Sequence, residues 1–358
     1  MHIHDAQQQW TVEPGWLNTA SFGLPPRSAF EALQAALNDW QVGRTSWEGW
    51  AASVSVARTR YAAIIGVEES DVAVGAQVSQ MLAPVAAAVP DGSTVLVPDI
   101  EFTSAVFPWA VHTDRGITVR TAPVVTFAEH IDESIDVVCF SIVQSATGEI
   151  MNYHAITEAA RSANALVVVD ATQACGWYPF DGRQADVVVN SAYKWLLAPR
   201  GTGFVYLAPE LRERLKPIMA GWFAGEDTHD TFYGLPLRLA RNARAFDLSP
   251  AWHPWVGTGP ALQVVQDVGV EAINRHNVRL ANRFLTGLGY PPGASAIVTV
   301  SIPGAQDRLA AAGVKAAVRD GRVRASFHLY TTDHDVDLAL NALTGTVPRT
   351  VFRPDTPD

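Results

Sequence analysis

One lysine of this sequence stands where the chain leaves a predicted buried strand. Residues 186–190 are Asp-Val-Val-Val-Asn, and Lys194 follows them between Tyr193 and Trp195. Lysine is rare here, because only three of the 26 basic residues are lysines. An ammonium group in apolar surroundings loses solvation, so its pKa falls and the amine becomes nucleophilic, whereas arginine stays protonated. The pattern favours a catalytic amine at Lys194, with a solvated surface lysine as the alternative.

An aspartate stands at the end of a second apolar segment. Residues 165–169 are all apolar, and Asp170 comes directly after them. The carboxyl ends of strands form the edge at which open α/β sheets bind ligands. A carboxylate there suits the ring nitrogen of a pyridoxal cofactor, although an aspartate in such a turn can also cap a helix. The pairing of Asp170 with Lys194 favours the cofactor role.

These two segments together resemble the signature of a known enzyme family. Asp170-Ala-Thr-Gln173 followed by Ser191-Ala-Tyr-Lys194 is similar to the motif of the class V aminotransferase superfamily. That family consists of fold-type I enzymes that depend on pyridoxal 5′-phosphate (PLP), and it includes the cysteine desulfurases. The resemblance extends from residue 17 to about residue 343. It implies an enzyme that acts on an amino-acid substrate through an external aldimine.

The resemblance also implies which residues bind the cofactor. Lys194 resembles the Schiff-base lysine, Asp170 the partner of the pyridine nitrogen, and Gln173 the glutamine near the ring hydroxyl. We expect the phosphate to bind backbone N–H groups of Val78 and Ser79, since the start of a helix suits a dianion. Their positions in the resemblance imply five further cofactor-binding residues. These are Gln77 in the same turn, Phe102 as the stacking ring, Ser145, Ser191 as the phosphate-binding serine, and Ser249.

Three residues are expected to bind the substrate. Arg324, in Val323-Arg-Ala-Ser-Phe-His328, resembles the arginine that clamps the substrate α-carboxylate, and its planar fork suits such recognition. Asn18 and Tyr193 are the other two. Because the segment around Ser249 resembles the loop that reaches the phosphate in the partner subunit, the resemblance implies a homodimer.

The features that distinguish desulfurases are missing. A desulfurase needs a mobile cysteine shortly before the carboxylate-binding arginine, but no cysteine lies between Gly304 and Arg324. Phe102 stands where desulfurases carry a histidine, and a phenyl ring cannot move a proton. Ser145 falls where they carry an asparagine. The two cysteines of the chain, Cys139 and Cys175, fit plain packing.

The missing cysteine reduces the number of possible reactions. The segment Leu17-Asn-Thr-Ala20 resembles the C–S lyases of the ergothioneine-pathway type. We therefore predict β-elimination at the C–S bond of an S-substituted cysteine, with Tyr193 or Lys194 as general acid. Transamination, epimerisation and decarboxylating oxidative deamination remain alternatives on the same fold. A non-catalytic PLP-fold binding protein is the alternative of another class, and the presence of both Lys194 and Asp170 argues against it.

Apolar segments and helical patterns alternate along the first 250 residues. Continuous Val/Leu segments separated by helices indicate an α/β domain with a mostly parallel, seven-stranded-type sheet covered on both faces. Predicted strands are 72–74, 94–97, 137–141, 165–170, 186–190 and 203–207. Helices are predicted over 28–41, 51–65, 80–88 and 157–163. A helix-rich stretch over 260–288, strands near 296–302 and 323–329, and helices around 305–312 and 333–343 indicate a small α+β domain.

The predicted organisation has four parts. These are an N-terminal arm (1–27), a large PLP-binding α/β domain (28–250), a small α+β domain (251–346) and a flexible tail (347–358).

Composition and motifs exclude several other classes. The net charge of −10 argues against a nucleic-acid-binding protein. No run of 18 apolar residues predicts a membrane span, and the first nine residues lack the features of a signal peptide. Two cysteines favour a reducing cytoplasm. The ten histidines show no metal-binding spacing, so no metal site is predicted. Gly201-Thr-Gly203 leads into a strand, which excludes a dinucleotide-binding turn.

Overall fold

The computed structural model describes residues 1–319 and 321–345 of the 358-residue chain. Its helices are α1 (Ile3–Gln7), α2 (Arg27–Gln41), α3 (Trp47–Ile65), α4 (Val78–Ala88), α5 (Thr103–Ala110), α6 (Tyr153–Ser162), α7 (Pro209–Arg212), α8 (Trp252–Val268), α9 (Val270–Gly287), α10 (Ala305–Ala311) and α11 (Asp333–Thr344). Its strands are β1 (Val72–Gly75), β2 (Thr94–Pro98), β3 (Thr118–Ala122), β4 (Val137–Ser141), β5 (Leu166–Asp170), β6 (Val187–Ser191), β7 (Gly203–Leu207), β8 (Ile297–Val300), β9 (Ala317–Arg319) and β10 (Arg322–Ser326).

Seven strands form one mixed sheet in the order β1-β7-β6-β5-β4-β2-β3. The five strands from β3 to β6 in this order are parallel, while β7 is antiparallel to both β6 and β1. Ser141 pairs with Asp170, and Asp170 with Val189. The carboxyl ends of β4, β5 and β6 therefore lie side by side at one edge of the sheet.

Alternate residues of each central strand point into two separate cores. In β5, Val167 and Val169 join the core that contains Tyr61 of α3 and Trp255 of α8. Val168 joins the opposite core, which contains Val85 of α4 and other residues of α4 and α5. Because helices cover both faces, the central strands are continuous apolar segments, as the sequence pattern predicts.

A second sheet of three antiparallel strands, in the order β8-β10-β9, packs in a core of its own with α9, α10 and α11. The N-terminal segment lies against this sheet. The Leu17 N–H donates to the Lys315 carbonyl over 2.9 Å, and the Ser326 N–H donates to the Leu17 carbonyl over 2.9 Å. Asn18 forms a bridge with Ser326, so the N-terminal arm is joined to the edge of β10.

The sequence-based elements differ from the structure in a few places. Strand β3 was not predicted, because Thr118–Ala122 alternates threonine and arginine with small apolar residues and is mostly exposed. The predicted helix-rich stretch is two helices, α8 and α9, which meet at Gly269 with a φ of +86°. Glycine adopts that backbone angle without strain, so it allows the chain to turn between the two helices there.

The predicted domain limits stay a prediction, and residues 346–358, including the predicted flexible tail, lie outside the described residues. Within residues 1–319 and 321–345, no helix is long and apolar enough to cross a membrane. In the same part of the chain, no cluster of three or more His, Cys, Asp or Glu side chains has the arrangement of a metal site.

Candidate active site

A cavity of about 290 Å³ lies at the carboxyl ends of β4, β5 and β6. Most of the residues that the sequence predicted for the site line it. These are Lys194, Asp170, Gln173, Ser191, Gln77, Val78, Phe102, Ser145 and Tyr193. They come from five separate segments of the chain, and the parallel strands bring their ends together.

Lys194 and Asp170 are both buried beside this cavity. Lys194 is 7% exposed, which excludes a solvated surface lysine. Burial lowers its pKa to about 8, and the charge of Asp170 opposes that shift. Burial raises the pKa of Asp170, whereas the Thr172 N–H, 2.8 Å from Oδ1, and the charge of Lys194 lower it. Because residues 172–177 form turns and no α-helix begins there, Asp170 does not cap a helix.

A hydrogen-bonded chain holds Gln173 in one orientation. Its Oε1 accepts from Nε1 of Trp195 over 2.8 Å, and its Nε2 donates to Oγ of Ser145 over 3.1 Å. The same Nε2 donates to the Ala20 carbonyl over 3.0 Å. Both ends of the amide are therefore engaged, and Gln173 links the loop after Lys194 to the N-terminal arm.

The start of α4 borders the cavity. Gln77 is the residue before the helix, and its side chain does not cap the first N–H groups, which belong to Val78 and Ser79. Such groups have no acceptor inside the helix and suit an anion. A Cβ at Gly75 would lie 2.6 Å from side-chain atoms of Gln80 and Met81, so a larger residue there would have to displace these two side chains.

Arg324 approaches the cavity from the small sheet and is 1% exposed. Its Nη2 donates to Oγ of Ser21 over 2.8 Å, and its Nη1 donates to Oγ of Ser145 over 3.3 Å and to the Ser145 carbonyl. Its Nε is buried without a partner within the described residues. Burial lowers the pKa of Arg324 to about 10, so it remains a cation at neutral pH. A desolvated guanidinium of this kind suits a carboxylate.

These features fit a pyridoxal phosphate site, with a buried amine, a buried carboxylate and a free helix start around one cavity. The family model for aminotransferase class V matches residues 48–305 of this chain. The chain belongs to this family. The predicted family, the PLP cofactor and the assignment as an enzyme are thereby confirmed.

Curated relatives of this chain have several names. An uncharacterized aminotransferase, YcbU, of Bacillus subtilis is 28% identical over 242 residues, covering 65% of this chain and 64% of that protein. A probable cysteine desulfurase of Methanothermobacter thermautotrophicus is 29% identical, covering 53% of this chain and 49% of that protein. The chain thus spans less than two thirds of these two relatives. Isopenicillin N epimerase of Streptomyces clavuligerus is 27% identical, covering 92% of this chain and 94% of that protein.

Two solved structures share the fold at 20% identity. The cysteine desulfurase of Thermococcus onnurineus NA1 has a TM-score of 0.82 and covers 96% of this chain and 98% of its own. The cystine C–S lyase C-DES, in complex with its product cysteine persulfide, has a TM-score of 0.83 and covers 94% of this chain and 99% of its own. The predicted fold class, a mostly parallel α/β sheet of the fold-type I kind, is confirmed.

Besides Arg324, three of the residues predicted for the site lie outside the cavity lining. Ser79 is half-buried in the first turn of α4. Asn18 lies against Ser326, and its Oδ1 is buried without a partner within residues 1–319 and 321–345. Ser249 is exposed, directly after Leu248, whose N–H donates to a carbonyl of β1 over 3.1 Å. The roles assigned to these residues stay predictions.

The sequence analysis assigned no role to Glu101, which the structure places beside the cavity. Its carboxylate accepts from the N–H of Ser141 over 2.7 Å, from its Oγ over 2.6 Å and from Nε2 of Gln144 over 3.1 Å. Burial raises the pKa of Glu101, and the charge of Asp170 adds to that shift. Its position directly before Phe102 was the available signal. The sequence analysis also assigned no role to Ser21. The available signal for it was its closeness to Asn18, a predicted substrate-binding residue.

Proposed function

We propose that this enzyme cleaves the C–S bond of an S-substituted cysteine by β-elimination. The observation that carries the proposal is the position of the two cysteines. Cys139 lies in β4 with 0% exposure, its Sγ donating to the Ala105 carbonyl over 3.4 Å, and Cys175 is 1% exposed. Burial raises the pKa of both thiols. Neither provides an accessible thiolate that could take sulfur as a persulfide, which favours a reaction in which the sulfur leaves with its own substituent.

Arg324 is the residue that we assign to the substrate α-carboxylate. Ser21 and Ser145 hold its two terminal nitrogens, which leaves the buried Nε and the remaining N–H positions for a ligand. No carboxylate of the described residues forms an ion pair with it, so a bound substrate would supply the missing counter-charge.

The cofactor would be held by the residues around the cavity. Lys194 would be the attachment point, Asp170 would pair with the pyridine nitrogen, and Val78, Ser79 and Ser191 would bind the phosphate. When bound, PLP supplies the electron sink for breaking the Cα–H bond and expelling the β-substituent. Phe102, 50% exposed with Nζ of Lys194 at 5.7 Å from its ring centroid, provides a stacking face and no proton.

Two side chains can move the protons of an elimination. The amine of Lys194, with a pKa of about 8, accepts the Cα proton in its neutral form. Tyr193 lines the cavity, and burial raises its pKa, so its hydroxyl stays protonated at neutral pH and can protonate the departing sulfur. Loss of the Cα proton and the thiol leaves 2-aminoacrylate, which water converts to pyruvate and ammonia.

The test is to mix the protein with S-substituted cysteines and no keto acid. We expect equal amounts of thiol and pyruvate, and none with Lys194→Ala. Full conversion to pyridoxamine phosphate without pyruvate would show an aminotransferase instead. Oxygen consumption with loss of CO₂ would show oxidative deamination. Deuterium exchange at Cα without cleavage of the C–S bond would favour epimerisation, which is the reaction in the name of a relative that matches 92% of this chain.

We also propose that the working form is a homodimer. Ser249 is exposed on a single chain, as expected for a residue that reaches the phosphate of a partner subunit. Light scattering should give twice the mass of one chain, and a monomer with full cofactor occupancy would contradict this part of the proposal.

A further inference from the structure

A second arginine lies at the cavity, and the steps proposed above do not use it. Arg200 lines the cavity beside Gly201, and its side chain is exposed. Its guanidinium carbon lies 4.8 Å from the centroid of the Tyr193 ring, a distance typical of cation–π stacking. Within the described residues, no hydrogen bond or ion pair engages this guanidinium.

The loop that carries Arg200 is closed on itself. The N–H of Ala192 donates to the Thr202 carbonyl over 3.0 Å, and the N–H of Ala198 donates to the Ala192 carbonyl over 3.1 Å. Oγ1 of Thr202 donates to the Pro199 carbonyl over 3.0 Å. These bonds fix the backbone on both sides of Arg200, so its place beside Tyr193 follows from the loop.

Arg200 stands on the side of the cavity where α4 begins. It comes just before β7, and Gly203 of β7 pairs with Gly75, the last residue of β1. The chain then passes through Gln77 into α4, so the free N–H groups of that helix start and Arg200 border the same end of the cavity.

Side-chain donors are few at this helix start. The turn before α4 is Gly75-Ala-Gln-Val-Ser79, which puts an apolar residue at 78. Backbone N–H groups and Ser191 give hydrogen bonds but no full positive charge. A nearby cation would strengthen the binding of a phosphate dianion there, and Lys194 is assigned to the covalent bond instead.

Positive charge around Lys194 is in excess. Arg200 and Arg324 both lower the pKa of Lys194, and Asp170 is the carboxylate that opposes them. Arg324 is assigned to the substrate carboxylate on the side of Ser145, which follows β4, whereas Arg200 precedes β7. Strands β5 and β6 separate these two sides, so the two arginines can face different anionic groups of a bound ligand.

We propose that Arg200 binds the phosphate group of pyridoxal phosphate and supplies the cationic contact that the helix-start turn lacks. A guanidinium fork binds a phosphate through paired charge-assisted hydrogen bonds, and stacking on Tyr193 restricts the side chain in advance. This inference concerns cofactor retention and does not depend on the C–S lyase reaction.

The test compares two cofactor forms that differ only in the phosphate. Full-length protein freed of cofactor is titrated with PLP and with pyridoxal, following absorbance of the Schiff base. Arg200→Gln should raise the Kd for PLP about tenfold to a hundredfold, the range for losing a hydrogen-bonded charge. The Kd for pyridoxal should stay unchanged. The difference between the variant and the wild type in the Kd for PLP should shrink at high salt.

Two further variants complete the design. Arg200→Lys keeps the charge without the fork and should give an intermediate Kd, while Arg214→Gln, an exposed arginine away from this cavity, should bind PLP normally. An unchanged Kd for PLP in Arg200→Gln would overturn the proposal. An equal loss of affinity for PLP and for pyridoxal in this variant would also overturn it. A KM increase confined to substrates with an acidic S-substituent, at normal PLP affinity, would overturn it by assigning Arg200 to the substrate.

Discussion

Nη2 of Arg324 donates to Oγ of Ser21 over 2.8 Å, although the two residues are 303 positions apart in sequence. This bond joins β10 of the small sheet to the N-terminal arm. Because the Leu17 carbonyl also accepts from Ser326, the arm runs along the strand that carries the arginine. The orientation of the guanidinium therefore depends on a segment from the other end of the chain.

Ser21 should act as a positioning residue for substrate binding. In Ser21→Ala, Arg324 loses one of its two side-chain partners, and we expect KM to rise about threefold to tenfold with kcat nearly unchanged. Ser21→Thr keeps the hydroxyl and should restore KM. Equal KM values for the wild type and the alanine variant, measured by initial rates, would show that the bond does not orient Arg324.

Asp170 should control the electronic state of the cofactor. Asp170→Asn keeps the shape but removes the charge beside the pyridine nitrogen. We expect kcat to fall about 10²- to 10³-fold, as for the loss of one strong electrostatic contact, while PLP still attaches to Lys194. Turnover and absorbance are measured on the same sample, and near-normal turnover would rule out the assigned role.

The pKa of about 8 at Lys194 predicts how cofactor attachment depends on pH. Only the neutral amine attacks the aldehyde, so the rate of Schiff-base formation should rise with pH up to about 8 and then level off. The charge of Asp170 raises this pKa, so the midpoint in Asp170→Asn should move below 8. Stopped-flow absorbance measures both profiles. A midpoint near 10, the ordinary value for lysine, would contradict the burial of the amine.

The buried ion pair between Arg58 and Asp247 should stabilise the folded protein next to β1. Nη2 of Arg58 lies 2.6 Å from Oδ2 of Asp247, both side chains are almost fully buried, and Oδ1 accepts from the Val74 N–H over 2.8 Å. Arg58→Met leaves a buried carboxylate unpaired and should cost about 3–5 kcal/mol of unfolding free energy in a urea titration. Arg44→Met, which breaks an exposed pair with Asp39, should leave stability nearly unchanged.

Local sequence was sufficient to predict the main elements and the residues at the strand ends. Asp170 and Lys194 were found because each follows a continuous apolar segment, and such segments become buried parallel strands whose ends meet at one edge. The family resemblance added Gln173, Ser191 and Arg324. Strand β3 was not predicted, because an exposed edge strand carries no continuous apolar segment.

Tertiary structure alone decided which of these residues touch. Ser21 contacts Arg324, Glu101 contacts Ser141, and Arg200 stacks on Tyr193. The first two contacts join segments that are distant in the chain, and they depend on strand order and on the path of the arm along β10. The stacking depends on how one loop closes. Sequence periodicity reports whether a residue is buried, but hydrogen-bond partners follow from the three-dimensional packing of whole elements, which no local pattern encodes.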